Sequence, residues 1–205
     1  MIEREWIVYA LAWIVYYLLH SLLAGQFVKR CLSAFMARYY RLFYNIISLV
    51  GLAALVTWLV LSETPYLFKT TLGIQMLASL LLLSGLILTI LALRQYNLSE
   101  FVGTSFFRKH TSPETEFSSL QVCGLNRYIR HPLYAAQYIL TIGFFLMFPS
   151  QFMLVWLVIT WIYLPIGMYL EEKKLLQHFG KAYADYRNKV PAILPFCKKC
   201  KSCCI

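Results

Sequence analysis

Apolar residues gather into five long blocks separated by polar stretches. They occupy 6–24, interrupted only by His20 and Ser21, then 42–61, 72–93, 133–148 and 152–170. The second, third and fifth blocks have about the length needed to cross a hydrocarbon core of roughly 30 Å. The fourth is short, but only Pro149, Ser150 and Gln151 separate it from the fifth, so the two predict a helical hairpin. None shows the alternation of barrel strands, and within lipid only helices or closed barrels satisfy every backbone group. The expected fold is all-α: a polytopic membrane protein with about five transmembrane helices and a cytoplasmic C-terminal helix. The first block is expected to be retained, because residues 1–5 carry two Glu against one Arg and no small-x-small cleavage site stands out after it.

Composition agrees with this reading. The 205 residues are 60% hydrophobic and only 14% charged, where a soluble domain carries about a quarter charged residues. Seventeen of the nineteen Lys and Arg residues fall in the loop after helix one, the loop after helix three, or the tail. Only Arg4 and Lys69 fall on the other side. Cytoplasmic loops concentrate Lys and Arg, so the N-terminus is expected outside and the tail in the cytoplasm. The net charge of +10 therefore needs no nucleic acid to explain it; membrane lipids are the expected partner.

Cys31, Cys123, Cys197, Cys200, Cys203 and Cys204 all lie on the expected cytoplasmic side, where thiols stay reduced. The tail cysteines have metal-like spacing, but no His flanks them and lysines interrupt them. An acylatable tail is preferred over a metal site. The last four residues are not a prenylation box, since Ser202 stands where the Cys would be. This divides the chain into three N-terminal helices (1–93), a region of linker, hairpin and tail helix (94–196), and a Cys/Lys-rich tail (197–205).

Several polar positions exceed what membrane anchoring requires. The linker 94–132 is long and carries Tyr96, Phe101, Phe106, Phe107 and Phe117, which argues for packing. The segment 171–188 reads as one helix leaving the membrane, ended by Pro191 and Pro195. Pro132 suits the first position of the fourth helix, whose free backbone donors favour an anion or polar ligand. Arg127 and Arg130 share a face if the preceding turn is helical; the plain alternative makes both topology anchors and His131 a cap. Glu171 and Glu172 suit the C-terminal end of an apolar helix poorly, because its dipole disfavours anions there. The hairpin returns them to the boundary that holds Arg130, so Arg130 or a cationic ligand is the natural partner. Pairing with Lys174 is the bland alternative. His20 with Ser21, and Asn45, read as interhelical packing groups.

Two motifs then carry a family resemblance. GLNRYIRHPLY at 124–134 resembles the signature of the isoprenylcysteine carboxyl methyltransferase superfamily. So does EEKKLLQHFG at 171–180, continued by Tyr183, Tyr186, Arg187 and VPAILPF at 190–196. In the N-terminal half, HSLLA at 20–24, YRLFYN at 40–45 and LRQYNLSEFVG at 93–103 are more similar to the bacterial branch of methanethiol S-methyltransferases and NnrU-type membrane proteins. The resemblance implies an S-adenosylmethionine pocket built from the linker, the hairpin and the C-terminal segment. It implies cofactor contacts at Tyr128, His131, Pro132, Tyr134, Glu171, Glu172 and Tyr183, and catalytic roles for Arg130, Arg187 and Glu172. It also implies a small or lipophilic methyl acceptor: a thiol first, an isoprenylated cysteine carboxylate second, and a scaffold without catalysis as the remaining alternative.

Overall fold

A computed structural model describes residues 2–25, 28–29, 31, 39–62, 64–95, 120 and 122–194. The linker aromatics at 96–117 and the cysteines at 197–204 lie outside the described residues. Six α-helices carry the described chain: α1 (Ile2–Leu23), α2 (Tyr40–Leu61), α3 (Leu72–Leu93), α4 (Pro132–Met147), α5 (Gln151–Phe179) and α6 (Lys181–Lys189). A 3-10 turn at Gly124–Arg127 precedes α4. No β-strand occurs among the described residues, apart from an isolated bridge between Tyr66 and Ser150. The all-α expectation holds.

Helices α1, α2, α3 and α5 are long and apolar enough to cross a membrane, while α4 is a shorter apolar helix of 16 residues. Their outward positions are apolar rather than charged: Leu72, Met76, Leu80, Leu83 and Leu86 along α3 are all well exposed. Water-soluble proteins rarely leave so large a contiguous apolar surface uncovered. This is an integral, multi-pass membrane protein.

The chain divides into two compact units. The first comprises the described residues of 2–70 and 148–163. Its core is aromatic. Tyr9 stacks on Phe152 with ring centres 4.4 Å apart and meets Trp13 and Trp58 edge-on. Such ring pairs contribute about 0.5–1.5 kcal/mol beyond the area they bury. The loop after α2 is tied to the α4–α5 turn where the Leu67 N–H donates to the Pro149 carbonyl at 2.7 Å.

The second unit comprises the described residues of 71–95, 120–147 and 164–194. Here α3 and α4 pack closely because small residues meet side chains across the interface. A Cβ on Gly85 would fall 2.7 Å from the Leu140 side chain, and one on Gly143 would fall 3.0 Å from Leu82. Close backbone approach at small residues is how membrane helices gain packing energy, since lipid supplies no hydrophobic drive between them.

One sequence expectation is corrected. The segment 171–188 is not a single helix: α5 runs through the Glu pair to Phe179, and α6 begins at Lys181. Gly180 separates them at φ +53°, a positive φ that a residue with a side chain adopts only under strain. The redirected α6 ends at Val190, short of Pro191.

Candidate active site

The site grows from the short stretch between the 3-10 turn and α4. Gly124 opens it at φ +61°, with the Gln95 side chain so close that a Cβ there would lie 2.8 Å from its Oε1. Pro132 begins α4 as its first residue, and a proline disfavours helical geometry in the residue before it. Arg130 and His131 are therefore left non-helical, with their backbone N–H groups free to bond elsewhere. Arg130 N–H donates to the Pro191 carbonyl at 2.9 Å, and His131 N–H donates to the Ala192 carbonyl at 3.0 Å. The segment after α6 is thereby fastened to the start of α4.

The side chains of this stretch meet the Glu pair of α5. Arg130 Nε and Nη2 donate to Glu172 Oε1 at 2.9 and 2.6 Å, and His131 Nε2 lies 3.0 Å from the same oxygen. Arg130 Nη1 donates to the carbonyls of Arg187 (3.0 Å) and Val190. Glu172 Oε2 is left on the other side, with Arg187 Nη1 at 3.9 Å, beyond hydrogen-bond length. Glu171 Oε2 lies 3.8 Å from His131 Nδ1. The Arg130 and Glu172 side chains are only 12% and 16% exposed, whereas Glu171 and Arg187 are 43% and 45% exposed. The cluster has an interior pair locked together and an outer pair open to approach.

Its electrostatics follow from these contacts. The apolar run of α5 ends at Leu170, about 28 Å of helix from Phe152, so the Glu pair lies beyond the spanning segment. Burial pushes the Glu172 carboxyl up, but hydrogen bonds and charge from Arg130 and His131 outweigh it and hold the group below its ordinary value. Tyr183, on α6, is 1% exposed; its hydroxyl makes no well-formed hydrogen bond among the described residues, although the Arg130 guanidinium lies close enough to act on it. Burial, reinforced by the Glu172 charge, pushes that hydroxyl up to about 12. It stays protonated as a donor.

The other candidates are placed as follows. His131 and Pro132 are buried, and Tyr134 packs edge-on against the His131 ring at 5.4 Å between centres. The Tyr134 hydroxyl also lies 3.1 Å from where a Cβ on Gly167 would stand, which brings the two hairpin helices together beside the cluster. Tyr128, by contrast, is 62% exposed. Arg127 does not join Arg130. It lines a small groove of about 130 Å³ with Val122, Asp185, Tyr186 and Lys189, well below the roughly 300 Å³ at which small-molecule sites begin.

The resemblance put 190–196 in the pocket but not the manner of its joining: Val190, Pro191 and Ala192 contribute backbone carbonyls. Asn126, inside the 124–134 motif, was given no role, yet its carbonyl accepts from the Tyr186 hydroxyl at 2.6 Å. Neither contribution leaves a side-chain signal.

Comparison with known proteins gives the chain its family. The NnrU protein family matches residues 8–193. The chain belongs to the NnrU family. This NnrU-family protein is 38% identical over 78 residues to a methanethiol S-methyltransferase of Crocosphaera subtropica, covering 36% of this chain and 28% of that enzyme. It is 29% identical over 100 residues to the protein-S-isoprenylcysteine O-methyltransferases of Mus musculus and Rattus norvegicus, covering 48% of this chain and 35% of theirs. The matches thus span about a third of the length of those relatives. No solved structure matches. The similarity relates the NnrU-family chain to membrane methyltransferases, in agreement with the resemblance in its two motifs.

Proposed function

We propose that the protein is an S-adenosylmethionine-dependent membrane methyltransferase acting on a small or lipophilic thiol. Its N-terminus would lie outside and its cofactor would arrive from the cytoplasm. One observation carries the reading: a buried Tyr183 hydroxyl without a well-formed hydrogen bond, beside an ionic cluster whose outer members, Glu171 and Arg187, are nearly half exposed. A buried polar group left without a good hydrogen bond costs about 1–3 kcal/mol, a cost that a ligand would remove.

The donor set fits the cofactor's amino-acid end. Glu171 and Glu172 Oε2 suit an ammonium, and Arg187 suits a carboxylate. The Tyr134 ring is a suitable face for a sulfonium. When bound, the cofactor supplies an electrophilic methyl group. The protein's own part is positional and electrostatic. His131 and Arg130 fix the Glu172 carboxylate, so that its charge is held in place where the cofactor's amino-acid end would bind. Arg187 contributes a positive field that favours the thiolate of a thiol acceptor, the form that is nucleophilic.

Similarity to the isoprenylcysteine O-methyltransferases supports a second acceptor class. The same arginine would then position an already ionised carboxylate. Methyl transfer to a methanethiol-like thiol and to a farnesylated cysteine analogue, compared side by side with detergent-purified protein, tests the choice. Transfer to the thiol is expected, and transfer to the prenylated carboxylate alone would overturn the thiol assignment. Cysteine labelling tests orientation: Cys200 is expected to resist labelling from outside intact cells, and reaction there would invert the topology.

A further inference from the structure

Arg130 is the second arginine of the 124–134 motif, and a guanidinium beside an open cluster invites a role in ligand binding. Its contacts point elsewhere. Nε and one Nη2 hydrogen go to Glu172 Oε1, and Nη1 reaches the carbonyls of Arg187 and Val190. These directions use four of the five N–H groups of a guanidinium. The backbone N–H groups of Arg130 and His131 then bond the carbonyls of Pro191 and Ala192. The residue therefore joins three parts of the chain: α5 at Glu172, the end of α6, and the segment that follows it.

We infer that Arg130 is a positioning residue that touches no ligand. It fastens residues 190–192 to the start of α4 and saturates Glu172 Oε1, so that Oε2 alone is turned toward ligand. Lysine cannot substitute. An ammonium carries the same charge, but it lacks the planar fork that reaches a carboxylate and two carbonyls at once. The ligand half of this inference rests on the proposed cofactor reading, whereas the fastening half does not.

The experiment has two arms, both on the full chain in detergent. In the first, amide hydrogen exchange is followed without ligand in wild type, Arg130→Lys and Glu172→Gln. Exchange along α3 serves as the control for folding. The amides of residues 130 and 131 are expected to exchange about ten- to a hundredfold faster in Arg130→Lys, as loss of charged hydrogen bonds would produce. Glu172→Gln is expected to produce a smaller increase, since the carbonyl bonds of Arg130 remain. Unchanged exchange at 130 and 131 in Arg130→Lys would overturn the inference.

The second arm measures binding of S-adenosylhomocysteine and 5′-methylthioadenosine, which share nucleoside and thioether but differ in the amino-acid end. Arg130→Lys is expected to weaken both compounds, S-adenosylhomocysteine the more, because it alone would meet Glu172 Oε2. An excess loss for S-adenosylhomocysteine that persists in full on a Glu172→Gln background would show a direct contact and overturn the inference. If folded wild type binds neither compound, the cofactor reading fails, and the exchange arm still decides the fastening role.

Discussion

Two histidines of this chain border apolar runs, His20 in the last turn of α1 and His131 just ahead of α4, and are used in opposite ways. His20, on α1, is surrounded by neutral groups of the first unit. Its ring lies 3.1 Å from Ser48 Oγ and 2.8 Å from the Tyr44 hydroxyl, and it stacks on Tyr16. Neighbouring hydroxyls pair off in the same manner, Tyr17 with Thr160 at 2.8 Å and Ser21 with Tyr163 at 3.0 Å. His131, in the second unit, meets two carboxylates and shares one of them with an arginine. In the first arrangement every partner is a local side chain, and the bonds join helices. In the second, charges are unevenly distributed, leaving Glu172 Oε2, Arg187 and the Tyr183 hydroxyl with capacity for something else. Polar groups in a membrane helix therefore do not by themselves mark a site. Charge left open beside a buried donor does.

The largest effect that would break this contrast is expected at Glu172. Glu172→Ala removes the acceptor shared by Arg130 and His131, and cofactor affinity should fall about a hundredfold, the scale of losing charged hydrogen bonds. Titration calorimetry reads this directly, and an unchanged affinity would place the ligand elsewhere. Acid should produce a related loss. Because the Glu172 carboxyl is held below its ordinary value of 4.5, its contribution to folding is fully present above that value. It disappears as pH falls through the lower folded-state value. Thermal stability followed from pH 7 to pH 3 should decline in wild type more steeply than in Glu172→Gln.

A smaller but sharper effect is expected at Tyr183. Tyr183→Phe keeps the ring and removes only the hydroxyl, so ligand-free stability should hold or rise slightly while cofactor affinity falls several-fold. A drop in ligand-free melting temperature would show that the hydroxyl already has a structural partner. The smallest effect belongs to the neutral cluster. His20→Ala should cost about 1 kcal/mol of stability, as loss of interhelical hydrogen bonds in a membrane does, measured by thermal or denaturant unfolding in detergent.

The helical class and the hairpin were legible because lipid imposes long apolar runs that few other structures need. The meeting of the Arg-His-Pro and Glu-Glu motifs was legible because a three-residue connection brings the ends of its helices together. The break at Gly180 was not, since the amphipathic spacing of Leu175, Leu176 and Phe179 continues into Tyr183 and the glycine's positive φ leaves no trace in that period. The assignment of Arg130 to carbonyls of 187 and 190 was equally hidden. Side-chain motifs encode side-chain chemistry, whereas backbone acceptors are identical at every residue. That Arg127 and Arg130 part company, one to a groove and one to Glu172, follows from the chain leaving helical geometry ahead of Pro132.

The contrast between the two histidines can be put to one measurement. S-adenosylmethionine binding is titrated by calorimetry into detergent-purified wild type, His131→Ala and His20→Ala. Saturable binding that His131→Ala weakens about tenfold and His20→Ala leaves intact is the predicted result. No binding by folded wild type, or equal weakening by both substitutions, would contradict it.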